Sequence, residues 1–299
     1  MALTLLEAAN LNSGDVYKAG VMMKFAETSD LLRVLPFEGI NGNSLKYNVE
    51  ETLPGIGFRG VNESFTESTG IINPKVESLS IAGGDLDVDK FIVDTMGADQ
   101  RAVQEAMKVK ALALSWTKTF IKGDSESDPR EFDGLQVRLS GDAVISNGTA
   151  GLSLAKLDEV IDAVDGANVI LMSKSVRRRL TVAARTSAIG GNITYTTDEF
   201  GRQVAMYNDL PILIIDKDNN NTDILGFTET SSTTSIYVLA LGEGMVSGLQ
   251  NGGMDVRDIG ELETKPAFRT RVEWYSGFGV FAPRTAARLN LITDAAATA

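Results

Sequence analysis

Five groups of residues have types and spacings that could do chemistry. Gly55-Ile56-Gly57-Phe58-Arg59-Gly60 carries the glycine spacing of a dinucleotide-binding loop. That loop works by presenting backbone N–H groups to a pyrophosphate between a strand and a helix N-terminus. Here Pro54 precedes it and no helical pattern follows, so the segment reads as a weakly specified hairpin tip. Asp85, Asp87 and Asp89 have calcium-loop spacing, but Lys90 takes the glycine position and Met96 that of the bidentate glutamate. On a strand the same spacing simply lines one face with carboxylates. Asp216, Asp218, Asn220 and Asp223 form a second such run, with Asn221 and Phe227 at those two positions, and read as a solvated polar loop. Arg177-Arg178-Arg179 could meet phosphate, but consecutive helical residues point about 100° apart and do not make one patch. Glu50-Glu51 could suggest a glycosidase pair, yet neighbours on a strand face opposite ways.

What is missing excludes more. The 299 residues contain no histidine and no cysteine. This removes the Ser-His-Asp and Cys-His nucleophile systems, the ordinary zinc and iron–sulfur ligand sets, and every disulfide. No side chain has an unperturbed pKa between pH 5 and 8, which argues against a pH switch. No Walker A, G-x-S-x-G or H-E-x-x-H pattern occurs. The formal net charge of −12 argues against a protein whose work is to grip nucleic acid. At 43% hydrophobic the chain has enough apolar material for a sizeable core. The start, Met1-Ala2-Leu3-Thr4-Leu5-Leu6-Glu7, has no basic region followed by a long apolar run, so no secretory signal is expected. Apolar runs such as Val169–Met172 and Pro211–Ile215 are too short to span a membrane. The sequons at Asn62, Asn147, Asn192 and Asn220 are then without consequence.

The elements that position these residues follow from periodicity. Leu3–Ala9 and Val16–Thr28 are expected to be short helical pieces, the second with Val21, Met22 and Phe25 on one side. Strand-like runs at Ser44–Val49 and Lys75–Ile81 flank the glycine-rich segment and predict a long hairpin. It has too few apolar residues for its own core and must rest on another surface. Asp99–Lys122 predicts a helix of about 36 Å, ended by Gly123. Projection gives it two apolar sides, with Val103, Met107, Ala111, Leu114 and Ile121 on one and Val109, Ala113, Trp116 and Phe120 on the other. A basic stripe of Arg101, Lys108, Lys118 and Lys122 runs beside them. Residues 124–262 alternate helix and strand: a helix capped by Ser153, a buried strand Val169–Met172, a basic helix Ser173–Arg185, strands Ile193–Thr197 and Gln203–Tyr207 about a turn at 198–201, then strands at Ile212–Asp216 and Ser235–Leu241. Residues 264–283 alternate with period two and predict one long strand.

This order of elements resembles the major capsid protein of tailed bacteriophages, over nearly the whole chain. The carriers are Leu35–Asn48, Leu53–Glu63, Ala106–Leu135 with Gly123-Asp124 and Glu131-Phe132-Asp133-Gly134-Leu135, Asn208–Ile212, and Phe268–Leu289. The resemblance implies an α+β capsid fold with a long spine helix, an extended β-hairpin E-loop, a P-domain sheet and an α/β A-domain. It divides the chain into an N-terminal arm (1–32), the E-loop with flanking P-domain strands (33–90), the P-domain with the spine helix (91–123), the A-domain (124–262), and the closing P-domain strand with the C-terminus (263–299). It implies a non-enzymatic subunit that assembles with itself into hexamers and pentamers of an icosahedral shell. The shell encloses double-stranded DNA without sequence-specific binding, uses no cofactor or metal and touches no membrane. A portal and a decoration protein are further partners of such shells. The family-like arm starts almost at Met1, so scaffolding is expected from a separate protein. The location implied is the virion, after assembly in the host cytoplasm.

Charge suggests how copies meet. Residues 33–90 hold five basic and nine acidic side chains; the helix 99–122 holds five basic and two acidic. The acidic E-loop, with Glu50, Glu51, Glu63, Glu67 and also Arg59 as contacts, is therefore expected to lie over Arg101, Lys108, Lys118 and Lys122 of an adjacent subunit. The competing readings are an encapsulin-type compartment, a carboxylate-based hydrolase and an acidic binding module.

Overall fold

Val169–Met172 is apolar at every position, and every position is buried. Such a run belongs to a strand covered on both faces. In the computed structural model it lies inside a seven-stranded sheet, with Val169 and Leu171 facing one core and Ile170 and Met172 the other. The structure describes residues 3–4, 28–96, 99–185, 193–197 and 203–298. The expected helical piece Val16–Thr28 lies almost entirely outside these, as do most of Leu3–Ala9 and the turn at 198–201. Leu3–Thr4 is a strand instead, paired antiparallel with Phe37 and Pro36.

In chain order the strands are β1 (Leu3–Thr4), β2 (Pro36–Gly39), β3 (Ser44–Thr52), β4 (Ile71–Ser78), β5 (Ser80–Asp89), β6 (Val144–Ala150), β7 (Val169–Met172), β8 (Ile193–Thr197), β9 (Gln203–Tyr207), β10 (Leu210–Ile214), β11 (Thr234–Leu239), β12 (Val246–Gln250), β13 (Asp255–Glu261), β14 (Ala267–Val280) and β15 (Ala286–Ile292). β3 and β4 form a two-stranded antiparallel hairpin of their own. The seven-stranded sheet runs β6-β15-β11-β7-β10-β9-β8. The helices Leu154–Asp162 and Lys174–Ala184 cover one of its faces through Leu154, Leu157, Val160, Val176 and Leu180. Both start as the sequence predicts, with the Ser153 and Ser173 hydroxyls accepting from the backbone N–H of Lys156 and Val176.

The six-stranded sheet is built around β14. β5 runs along one edge of it over ten residue pairs. β12 and β13 follow one another along the other edge, and β2 and β1 extend the sheet from β12. The long helix Asp99–Lys122 lies across this sheet and buries Val109, Ala113, Trp116 and Phe120. Trp116 sits 5.6 Å from Trp274 and 5.6 Å from Phe37, and its indole N–H donates to Ser276 Oγ at 3.0 Å. Two glycines of β5 permit close approaches, Gly84 to the helix and Gly83 to β14. A Cβ on Gly84 would meet Lys108 Nζ at 2.7 Å, and one on Gly83 would strike the Val272 carbonyl oxygen of β14.

Sheet membership departs from the expected division of the chain at residue 262. β12 and β13, expected within the α/β lobe, belong to the six-stranded sheet; β15, expected with the closing strand, pairs in the seven-stranded one. The alternation of 264–283 identifies a strand but not its neighbours, because pairing is decided by long-range packing. One hydrophobic cluster joins the sheets, uniting Trp116, Trp274 and Phe278 with Val169, Leu171, Tyr237 and Leu239.

Candidate assembly surface

The hairpin β3–β4 projects a tip, residues 53–70, in which Leu53, Ile56, Phe58, Val61 and Phe65 are all exposed, Phe58 completely so. Below the tip, Ile71, Ile72 and Val76 of β4 are exposed as well. The tip is ordered by its own bonds. Ser68 Oγ donates to the Gly55 carbonyl at 2.7 Å, the Gly60 N–H to Glu63 Oε2 at 2.8 Å, and the Arg59 guanidinium to the Glu63 carbonyl at 3.1 Å. Arg59 also lies 5.2 Å from the centre of the Phe65 ring. These contacts shape a loop and leave its apolar side chains facing outward. An apolar set of this size held away from the body marks an interaction surface. The charge-based reading of the hairpin passed over this set because its side chains are scattered among glycine and polar residues with no period to betray them.

The root of the hairpin is fastened to the body. Arg138 donates to both carboxylate oxygens of Glu77 on β4, at 2.5 and 2.7 Å, and its side chain and that of Glu77 are only 18% and 12% exposed. Tyr47 on β3 donates to Glu77 at 3.0 Å and packs edge-on against Phe281, with ring centres 4.8 Å apart. Burial first, then the Glu77 charge, pushes the Tyr47 phenol well above its ordinary range. Arg138 in turn stacks over Phe278 at 4.7 Å.

The basic stripe of the long helix is largely engaged within the chain. Arg101 pairs with Glu105 at 3.2 Å and with Asp258 of β13 at 2.6 Å, and donates to Thr270 Oγ1 at 2.8 Å. Lys118 pairs at 3.3 Å with Asp218, whose side chain is 5% exposed. Burial opposes ionisation of Asp218, but N–H donors from Thr222 and Asn220 and the Lys118 ammonium outweigh it and lower its pKa. Lys122 is half-buried, and that burial lowers its pKa, with Glu229 opposing. Lys108 lies against Gly84 at the mouth of a groove between β5, the helix and residues 128–132. Of the expected hairpin contacts, Glu50, Arg59, Glu63 and Glu67 are all exposed; the Glu51 side chain lies outside the described residues. Within one chain the structure brings Arg59 and Glu63 together, and among the described side chains it joins none of these to the stripe.

The other candidate chemistries resolve into structure. Asp85 and Asp87 form cross-strand pairs, Asp85 with Arg271 at 2.7 Å and Asp87 with Arg269 at 2.6 Å and with Lys265 at 2.5 Å. Asp218 anchors its own loop rather than leaving oxygens free for a cation. Arg179 pairs with Asp294, and the Gly55–Gly60 run has no helix behind it. Among the described residues, no three acidic side chains converge as a metal site, and no helix is long and apolar enough to cross a membrane.

No family model matches this chain, and no curated protein matches it. Its structure does have counterparts. The holo-SrpI encapsulin complex from Synechococcus elongatus superposes with a TM-score of 0.68 at 18% identity, over 90% of this chain and 89% of that one. The capsid of the native GTA particle gives 0.64 at 16% identity, over 89% and 91% of the two chains. A structure from Microbacterium phage Oxtober96 gives 0.64 at 14% identity, over 89% and 90%. The α+β chain described here thus has the tailed-phage major capsid fold, shared by phage capsids and an encapsulin.

Proposed function

We propose that this chain is the major capsid protein of a tailed phage, a structural subunit that assembles with its own copies into hexamers and pentamers of a closed shell around double-stranded DNA. One observation carries the reading: a capsid-fold chain holds out a hairpin whose tip exposes Ile56, Phe58 and Val61. In a lone monomer that area would stay wet, whereas each residue of this size contributes about 1.5–3 kcal/mol when a neighbour buries it. The groove beside Lys108 offers apolar side chains (Ala82, Leu112, Trp116, Phe132) among charged ones (Asp128, Arg130, Glu131), a mixed lining able to receive such a tip. The acidic residues Glu50, Glu51, Glu63 and Glu67 steer the approach, and Lys108 is the stripe residue best placed to meet them.

Under this reading residues 33–90 supply the E-loop, 91–123 the spine of the P-domain and 124–262 most of the A-domain, and the role is structural, with no catalytic step. A separate scaffolding protein, a portal and a decoration protein are its partners, and the virion is its location. The acidic balance suits a wall that does not hold its contents tightly. A second reading, a cellular compartment enclosing a cargo protein, is favoured by the likeness to the SrpI encapsulin.

Negative-stain microscopy of the purified chain tests the proposal. Closed shells or capsomers are expected, and a monodisperse monomer under all assembly conditions overturns it. Nuclease-protected DNA inside particles made during infection supports the phage reading; a co-purifying protein cargo supports the compartment.

A further inference from the structure

We propose that the root of the hairpin carries a built-in chemical modification site, in which Asn41 and Asn251 deamidate while the third Asn-Gly pair of the chain is protected. The pairs are Asn41-Gly42, Asn147-Gly148 and Asn251-Gly252. A glycine after asparagine leaves the next backbone nitrogen unshielded and its φ free. That nitrogen attacks the side-chain carbonyl carbon, its proton leaves with the amide nitrogen as ammonia, and a five-membered imide forms. Water then opens the ring at either carbonyl to give aspartate or isoaspartate. No oxidant or further reactant is needed.

The fold separates the three sites. Asn147 is 8% exposed, and its amide is fixed on both sides. It donates to the Ala150 and Gly151 carbonyls at 2.9 Å each and accepts from the Ser153 N–H at 3.0 Å. The attacking nitrogen, that of Gly148, is itself occupied by Ser146 Oγ at 3.2 Å. Attack there requires all of these to break. Asn41 is exposed, and Gly42 after it has φ of 108°. Asn251 sits at the surface and makes a single side-chain bond, to the Gly42 carbonyl at 2.9 Å, followed by Gly252 and Gly253 at φ of 77° and 76°.

The two reactive sites therefore touch each other, at the point where β2 passes into the hairpin and β12 passes into β13. The same junction is tied by the Ile40 N–H to the Gln250 carbonyl and by the Leu79 N–H to the Asn43 carbonyl, both at 2.9 Å. Conversion of Asn251 replaces a donor facing the Gly42 carbonyl by a carboxylate, so two acceptors oppose each other and the tie is lost. An isoaspartate also lengthens the backbone by one atom. The modification loosens the hairpin at its root, and it does so whether or not the chain forms a shell.

The test is peptide mapping by mass spectrometry of the full chain, incubated at mildly alkaline pH, natively folded and in denaturant. Asn41 and Asn251 are expected to convert at least about tenfold faster than Asn147 in the native chain, and all three at similar rates once unfolded. Equal native rates overturn the proposal, as does a native chain in which Asn41 and Asn251 are as slow as Asn147. For the consequence, Asn251→Asp is expected to speed amide exchange in Ser44–Thr52 and Ile71–Ser78; unchanged exchange there defeats it.

Discussion

Arg138 holds Glu77 through two parallel hydrogen bonds, and this grip joins the hairpin to the body of the subunit. The residues are 61 positions apart, so no local pattern connects them. Removing either partner leaves the other in a largely closed site. Arg138→Ala or Glu77→Ala is expected to cost about 1–3 kcal/mol of stability. The double variant is expected to cost less than the sum of the two. Urea denaturation of the four members of the cycle checks this, and strict additivity would show that the pair is not coupled.

The apolar tip makes a prediction of opposite character. Phe58→Asp and Ile56→Asp touch nothing in the folded monomer, so thermal stability is expected to change by no more than about 0.5 kcal/mol. Assembly, followed by light scattering and microscopy, is expected to fail or slow strongly. Normal shells from Phe58→Asp would remove the hairpin tip from the interface.

Charge reversal on the helix must be done one residue at a time. Lys118→Glu breaks the pair with the buried Asp218 and places like charges together, so it is expected to lower monomer stability whatever happens in assembly. Lys108→Glu leaves every ion pair described here intact. It is expected to impair assembly in low salt without lowering the Tm of the monomer. A shell yield equal to that of the wild type would rule out an electrostatic role for Lys108.

The ladder on β5 and β14 gives a pH dependence. Arg269, with Lys265, holds the Asp87 carboxyl far below the usual carboxylate range, and Arg271 lowers that of Asp85. A folded-state pKa below the unfolded value of about 3.9 means that the stabilisation is fully present above that pH. It is lost as pH falls through the folded value. Stability is therefore expected to be flat in this contribution from pH 7 to about pH 4 and to decline below it. In Asp87→Asn the decline is expected to be shallower, which a series of thermal melts would reveal.

Gly83 and Gly84 differ in what a methyl group would meet. At Gly83 it meets the rigid backbone of β14; at Gly84 it meets the movable end of Lys108. Gly83→Ala is expected to destabilise by about 1–3 kcal/mol or more, and Gly84→Ala by clearly less. Equal losses by calorimetry would mean that the helix, not the strand, sets the spacing.

Elements with a strong period were legible in advance. Asp99–Lys122 forms over its expected span, Val169–Met172 likewise, and the alternation of 264–283 delivers β14 with slightly shorter ends. β5 was not legible as a ten-residue strand, because Ala82, Gly83 and Gly84 offer no apolar alternation and the aspartates suggested a cation loop. Their partners Arg269 and Arg271 lie more than 180 residues away. Separation in sequence likewise hides Arg138 from Glu77, 61 positions away, and Lys118 from Asp218. The basic stripe was visible as geometry, but its neutralisation by Asp258 and Asp218 was not, since those carboxylates arrive from other elements. The order of segments carries the overall architecture, whereas pairing among the strands depends on long-range packing that no local pattern encodes.

The crossing of strands between the two sheets has a mechanical meaning. β14 ends at Val280 and β15 begins at Ala286, so a short connector ties the middle of one sheet directly to the interior of the other. Tension applied to either sheet reaches its neighbour through a few covalent bonds and through the shared cluster around Trp274 and Tyr237. The body therefore carries load as one plate that cannot peel apart along the seam between its layers. Compliance is left to the hairpin, held to that plate by the carboxylate of Glu77 in the fork of Arg138 and by a few ties at its root.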